Sequence, residues 1–194
     1  MNILISEKLA DFLLLENDVE DRDSCIYGCQ CLISLCSNIV VVIGIGILFH
    51  KLLESILFLV VIMLVRSYTG GFHAKTCLIC NVILGMHCIG TLCISTYIIN
   101  DFNICRILIW IMMSIFSVAT FFLAPMEHPN KKLSVSAKKY NKRICLILIL
   151  LFDLTVYILI FRYPYVATIL SITLGGIGLA LLVEMKMERR NEYV

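Results

Sequence analysis

LLESILFLVVIMLVRSYTGGFHAKTCLIC, residues 52–80, passes from one apolar run into the start of another through a short polar joint. A membrane helix needs about 20 largely apolar residues to cross roughly 30 Å. The run Leu52–Val65 has only 14 residues and would rise about 21 Å as a helix, with Glu54 near its start. It must borrow flanking residues or draw a polar end into the bilayer. That polar end is the joint itself, which holds Arg66, Gly70, Gly71, His73, Cys77 and Cys80.

The rest of the chain has the same character. Of its 194 residues 60% are hydrophobic, with a mean hydropathy of +0.96, whereas soluble domains sit near 45–50% apolar. The expected fold is all-α, a polytopic membrane protein forming one domain over 1–194. Six spans are expected: Cys25–Phe49, Leu52–Val65, Cys77–Asn100, Ile107–Pro125, Ile144–Phe161 and Tyr165–Val183. Residues 1–24 mix Ile3, Leu9, Phe12 and Leu13 with Glu7, Lys8, Asp11 and Glu16. That pattern suits an amphipathic interfacial helix and lacks the parts of a secretory signal. The formal charge of +2 gives no reason to expect nucleic acid as a partner.

Lys and Arg counts set the expected sidedness. With the N-terminus cytoplasmic, the inner side holds Lys8, Arg22, Arg66, Lys75, Lys131, Lys132, Lys138, Lys139, Lys142, Arg143, Lys186, Arg189 and Arg190. The outer side keeps Lys51, Arg106 and Arg162 alone. Both termini, the joint and the basic loop 126–143 are therefore expected on the cytoplasmic face of the cell membrane.

The joint carries two candidate nucleophiles and one candidate base. A thiol attacks as thiolate, and free cysteine titrates near pH 8.5, so it needs a base at neutral pH. A histidine within hydrogen-bond reach takes that proton and returns it to a leaving amine. His73 and Cys77 are four apart and would face each other on a continuous helix. His73 and Cys80 are seven apart, about 10.5 Å along the axis. Gly70 and Gly71 disfavour a continuous helix here, so a folded-back loop could bring His73 to either thiol. A redox pair Cys77/Cys80 is the competing reading; a zinc site would be one ligand short. No metal or other cofactor is expected. Most of the ten cysteines, among them Cys31, Cys36, Cys88, Cys93 and Cys145, fall in apolar runs and read as small packing residues.

The string Arg66-x-x-x-Gly70-Gly71-x-His73-Ala74, with Cys80 seven residues after the histidine, resembles the accessory gene regulator B family of quorum-sensing membrane peptidases. The segment 124–131, APMEHPNK, is similar to a second stretch of that family, and the likeness extends over essentially the whole chain. The resemblance implies a cysteine endopeptidase with Cys80 as nucleophile and His73 as base; Cys77 receives no role. It also implies the substrate, a small precursor signalling peptide. Its acidic C-terminal part is removed, and the remainder is cyclised through an acyl-enzyme thioester to a thiolactone or lactone.

Supporting roles follow from residue chemistry. Arg66 either holds a substrate carboxylate or anchors the short span. Gly70 and Gly71 let the loop turn, and Glu127 and His128 lie on the same side and are candidates to orient His73. The basic loop, with Lys131 and Lys132, reads first as a topological signal drawn to anionic lipid, at about 1 kcal/mol per charge. Its second reading is recognition of an acidic precursor tail. Asp153 lies near the middle of the fifth span, where a carboxylate costs roughly 2.5–3.5 kcal/mol and so must be neutral, paired or facing a cavity. Ser171/Gly175 and Gly176/Ala180 are small pairs four apart that allow close helix packing, within one chain or at a homodimer seam. A transporter built around Asp153 and a thiol oxidoreductase using Cys77 and Cys80 are the rival functions.

Overall fold

The computed structural model describes residues 22–70, 77–126 and 134–192. Among the described residues there are six helices and no strand: α1 (Arg22–Leu48), α2 (Leu52–Thr69), α3 (Cys77–Ile98), α4 (Phe102–Leu123), α5 (Val135–Arg162) and α6 (Pro164–Glu192). Five of them, α2 to α6, are long and apolar enough to cross a membrane. In α1 the apolar part so identified is Leu32–Leu48, which at 1.5 Å per residue rises about 25 Å. The expected N-terminal amphipathic segment falls almost entirely outside the described residues.

Helix ends differ from the sequence expectation for identifiable reasons. The second span is short only by hydropathy: α2 runs on through Arg66 to Thr69, 18 residues, and stops where Gly70 takes φ 69°. Helix α4 starts at Phe102 because Asp101 accepts hydrogen bonds from the amides of Asn103 and Ile104, at 3.1 and 3.2 Å. Helix α5 starts at Val135, ahead of the expected Ile144, because Ser134 caps it through the Ala137 amide. Lys138, Lys139, Lys142 and Arg143 of the segment 126–143 therefore lie on its first turns.

The helices alternate in direction. The connections α1–α2, α3–α4 and α5–α6 need one to three residues each and share one end of the bundle. There Lys51 donates to the Tyr165 hydroxyl at 2.6 Å, tying the start of α2 to the start of α6. The longer connections, α2–α3 and α4–α5, share the other end, where the Met126 amide donates to the Thr69 carbonyl at 3.0 Å.

Helix α6 is the centre of the arrangement. Ala167 to Gly175 are buried without interruption, the mark of a helix enclosed on all sides. It packs against α2, α3, α4 and α5, most extensively against α4. Three glycines let its neighbours come close. A Cβ on Gly175 would meet the Met112 side chain at 2.7 Å, one on Gly176 would collide with the His87 ring, and one on Gly178 would meet Ile115 and Phe116 backbone at 2.9 Å. Gly175 and Gly176, from the small pairs 171/175 and 176/180, thus serve packing inside the chain. Outside, large apolar side chains such as Leu53, Leu78, Phe122 and Leu150 are exposed, as a lipid-facing surface requires. Among the described residues, Cys29, Cys88, Cys105 and Cys145 are buried free thiols packed among the helices.

Backbone cannot rotate away as a side chain can. Gly178→Ala is therefore expected to cost about 1–3 kcal/mol through overpacking, read as a lower Tm in lipid nanodiscs. Gly90→Ala, whose Cβ meets nothing within 4 Å, should leave Tm unchanged or raise it. Equal Tm values for the two variants would contradict the close α4–α6 contact.

Candidate functional site

The site lies at the end of the bundle where α2 finishes and α3 begins. Arg66 is in the last turn of α2 and Cys80 in the first turn of α3, so the joint between them brings both to one corner. The Arg66 guanidinium turns inward, with Nη2 3.8 Å from Cys80 Sγ, and the thiol is half-buried. Negative charge developing in this corner meets a guanidinium and the positive end of the α3 dipole.

Gly70 has a structural task of its own. Its φ of 69° and ψ of −148° lie near a region that essentially only glycine occupies. A Cβ there would sit 2.5 Å from the Met126 carbonyl oxygen. The backbone after α4 therefore lies directly against the end of α2, fixed by the Met126–Thr69 hydrogen bond. Lys142 of α5 holds the same segment from its other side, donating to the carbonyls of Phe121 and of Ala124 (2.8 Å to Ala124). The end of α2 at Thr69 and Gly70 and the backbone at Met126, far apart in sequence, thus meet at one place.

Behind Cys80 a cavity of about 300 Å³ runs between α2, α3 and α6. Arg66, Gly70 and Cys80 form its polar end, and Ile62, Ile83, Leu84, Ile177, Leu179 and Val183 its walls. His87 and Gly176 line it as well. The His87 ring meets Phe58 edge-on at 5.0 Å, and Nε2 lies 3.3 Å from the Ile172 carbonyl. Two helical turns separate His87 from Cys80, about 10.5 Å along α3. That is beyond hydrogen-bond reach, so His87 is not the base for this thiol.

Asp153 sits elsewhere. It lines a second cavity, about 460 Å³ between α4 and α5, with Ser114, Ser117, Trp110 and Tyr157, and shares no residue with the first. Ser117 Oγ lies 3.1 Å from both carboxyl oxygens and has one proton to donate. Among the described residues no three His, Cys, Asp or Glu side chains gather as a metal site requires.

Of the residues singled out from the sequence, Arg66, Gly70 and Cys80 are brought together. Gly71, His73, Glu127, His128, Lys131 and Lys132 lie outside the described residues, and so does the side chain of Cys77. Sequence reasoning left His87 unassigned. The signal was available, since it stands two turns after Cys80 on the same face of one helix.

A profile of the family described as Accessory gene regulator B matches residues 6–184. An AgrB-like protein of Clostridium perfringens (strain SM101 / Type A) is 33% identical over 141 residues, covering 70% of this chain and 64% of that relative. AgrB-like protein 2 of Clostridium perfringens (strain 13 / Type A) is 30% identical over 139 residues, with the same coverage of 70% and 64%. The matches thus span a little under two thirds of the length of these relatives. No solved structure matches the chain.

The geometry at Gly70 makes a direct prediction. Gly70→Ala adds backbone strain of about 1–3 kcal/mol and forces the Met126 carbonyl away. Amide hydrogen exchange at Met126 is expected to speed up by about 10-fold or more. Unchanged exchange at Met126 would contradict the contact.

Proposed function

The chain belongs to the accessory gene regulator B family, and from that premise we propose that it is a membrane-embedded cysteine endopeptidase that cuts and cyclises a small precursor signalling peptide. The observation that carries the reading is the Cys80 thiol beside the Arg66 guanidinium at the open end of a cavity between membrane helices.

In this reading Cys80 Sγ attacks the scissile carbonyl while His73 takes the thiol proton. The oxyanion that forms is met by Arg66 and the N-terminal end of α3. His73 then protonates the departing amine, the C–N bond breaks, and the acyl part stays on Cys80 as a thioester. A thiol or hydroxyl within the peptide attacks that thioester, losing its proton to His73. Cys80 leaves as thiolate and takes the proton back, releasing a thiolactone or lactone. Hydrolysis is the competing fate, so exclusion of water favours the ring. A site walled by Ile62, Ile83 and Leu84 supports that exclusion.

The positive-inside count supports placing this end of the bundle, and both termini, at the cytoplasmic face. Lys131 and Lys132, with Glu127 and His128, belong to the segment that begins beside Gly70. Of these, Lys131 and Lys132 have the charge to receive the acidic part that is cut away, while Glu127 and His128 are the candidates to orient His73.

The test is processing of synthetic precursor candidates with an acidic C-terminal part in lipid vesicles, followed by mass spectrometry. Cys80→Ala and His73→Ala are each expected to lower cleavage by at least about 10³-fold, as loss of a nucleophile or its base does in other peptidases. Wild type should carry an acyl group on Cys80 that hydroxylamine releases. Cys77→Ala should keep substantial activity; its complete loss would favour thiol–disulfide chemistry. Asp153→Asn should also keep activity, because its cavity is separate. Cleavage that survives Cys80→Ala would refute the mechanism.

A further inference from the structure

The cavity behind Cys80 has a shape that the chemistry at the thiol does not require. Its polar groups cluster at one end, and its walls are otherwise aliphatic along the face of α3 from Cys80 towards His87. Its volume of about 300 Å³ is at the small end for ligand pockets, enough for one large side chain and too little for a folded peptide.

We propose that this cavity receives the side chain of the substrate residue whose carbonyl becomes bonded to Cys80, and that His87 and Ala180 set its capacity. The inference rests on the peptidase reading. Once the thioester forms, the substituent on the adjacent α-carbon is tethered within a few bonds of Sγ. The cavity opens at that atom, whereas the leaving part must depart from it. The walls formed by Ile83, Leu84, Ile177 and Val183 favour a large aliphatic or aromatic side chain. A carboxylate there would be desolvated among aliphatic groups, which disfavours it strongly.

His87 is suited to be a fixed boundary. Its ring is held edge-on by Phe58, its Nε2 lies beside the Ile172 carbonyl, and it occupies the space that a Cβ on Gly176 would need. It is a specificity-determining residue and not a catalytic one, since it stands two turns from the thiol. Ala180, half-buried on the opposite wall, is the position where added bulk enters the cavity.

The experiment uses the full chain in lipid vesicles and defined probes: thiophenyl thioesters of N-acetyl-leucine, -phenylalanine, -alanine and -aspartate. Cys80 Sγ attacks the thioester carbonyl, thiophenol departs with the proton, and the acyl group remains on Cys80. Rates are read by peptide-mapping mass spectrometry at Cys80. Wild type is expected to acylate with the Leu and Phe probes at least about 10-fold faster than with Ala, within the range that hydrophobic pockets achieve, and slowest with Asp. Ala180→Phe should cut the Leu and Phe rates by about 10-fold or more while leaving the Ala rate within about 3-fold, abolishing the preference. The Ala probe reports that this variant is folded. His87→Ala, which enlarges the cavity, should shift preference further towards Phe over Leu.

Acylation of Cys80 at rates that ignore the side chain, or an unchanged ranking in both variants, would overturn the pocket assignment and leave the peptidase reading standing. A lipid chain occupying the cavity would give that unchanged ranking. If Ala180→Phe fails with every probe, the ranking in His87→Ala decides. Absence of any acylation at Cys80 in the wild type, under conditions where free thiols elsewhere in the chain react, would remove the peptidase reading and this inference together.

Discussion

The close approach of α4 and α3 to α6 is the contact on which the rest of the arrangement depends. Without a hydrophobic drive between helices in lipid, association relies on tight packing, and small residues make that possible. Gly175, Gly176 and Gly178 place three such openings within one turn of α6, taking Met112, His87 and the Ile115–Phe116 backbone. Because successive residues project about 100° apart, these openings face two different neighbours, α4 and α3. One short stretch thereby fixes where both helices sit around the central one. Cys80 inherits its place from this, because α3 is rigid between Cys80 and His87.

A second constraint acts at the end of the bundle. The end of α2 at Gly70 and the passage of Met126 against it bring together two segments separated by more than fifty residues. Lys142 reinforces the junction by satisfying carbonyls at the end of α4, groups a helix terminus leaves unpaired. The opposite end is held differently, through Lys51, Tyr165 and Glu54, where the Tyr165 hydroxyl lies 3.4 Å from the Glu54 carboxylate. Glu54 and Lys51, polar residues at the edge of an apolar run, have a partner there in the start of α6. The end with short connections is thus closed by side chains. The end with long connections is held by the Met126–Thr69 backbone contact and by Lys142, and it carries Arg66 and Cys80.

Much of this was legible in the sequence, and the reasons for what was not are physical. Apolar runs placed the six described helices, five of them long and apolar enough to cross a membrane. Their ends were less legible, because hydropathy ignores capping. Val65 looked like the end of a span, yet the helix continues through Arg66, whose charge finds the Cys80 sulfur within the protein. Ser134 starts α5 well before its apolar portion begins. At the site, the joint 66–80 marked itself by polar residues in an apolar setting, and the family resemblance separated Cys80 from Cys77, which spacing alone left open. The sequence left His87 unassigned, because a histidine on an apolar helix is usually a packing residue. The seven-residue spacing already put it on the face of Cys80, and α6 supplies the third wall of the cavity that both line.

The position of the thiol also bears on why the reactive groups stand at a bundle end and not in the middle of a span. In the proposed reaction a thioester would form from a peptide that arrives from water and would then have to be kept from water until an internal nucleophile reached it. A thiol deep in the bilayer would be out of reach of a charged peptide, and one on an exposed loop would lose its acyl group to hydrolysis. Cys80, half-buried in the first turn of α3, fits both demands of that reaction: one side meets Arg66, and the other meets a cavity walled by aliphatic side chains. The short apolar run of α2 is what makes this possible. Because its hydropathy ends at Val65 while its helix continues to Thr69, the last turn carries a guanidinium to the thiol without breaking the span.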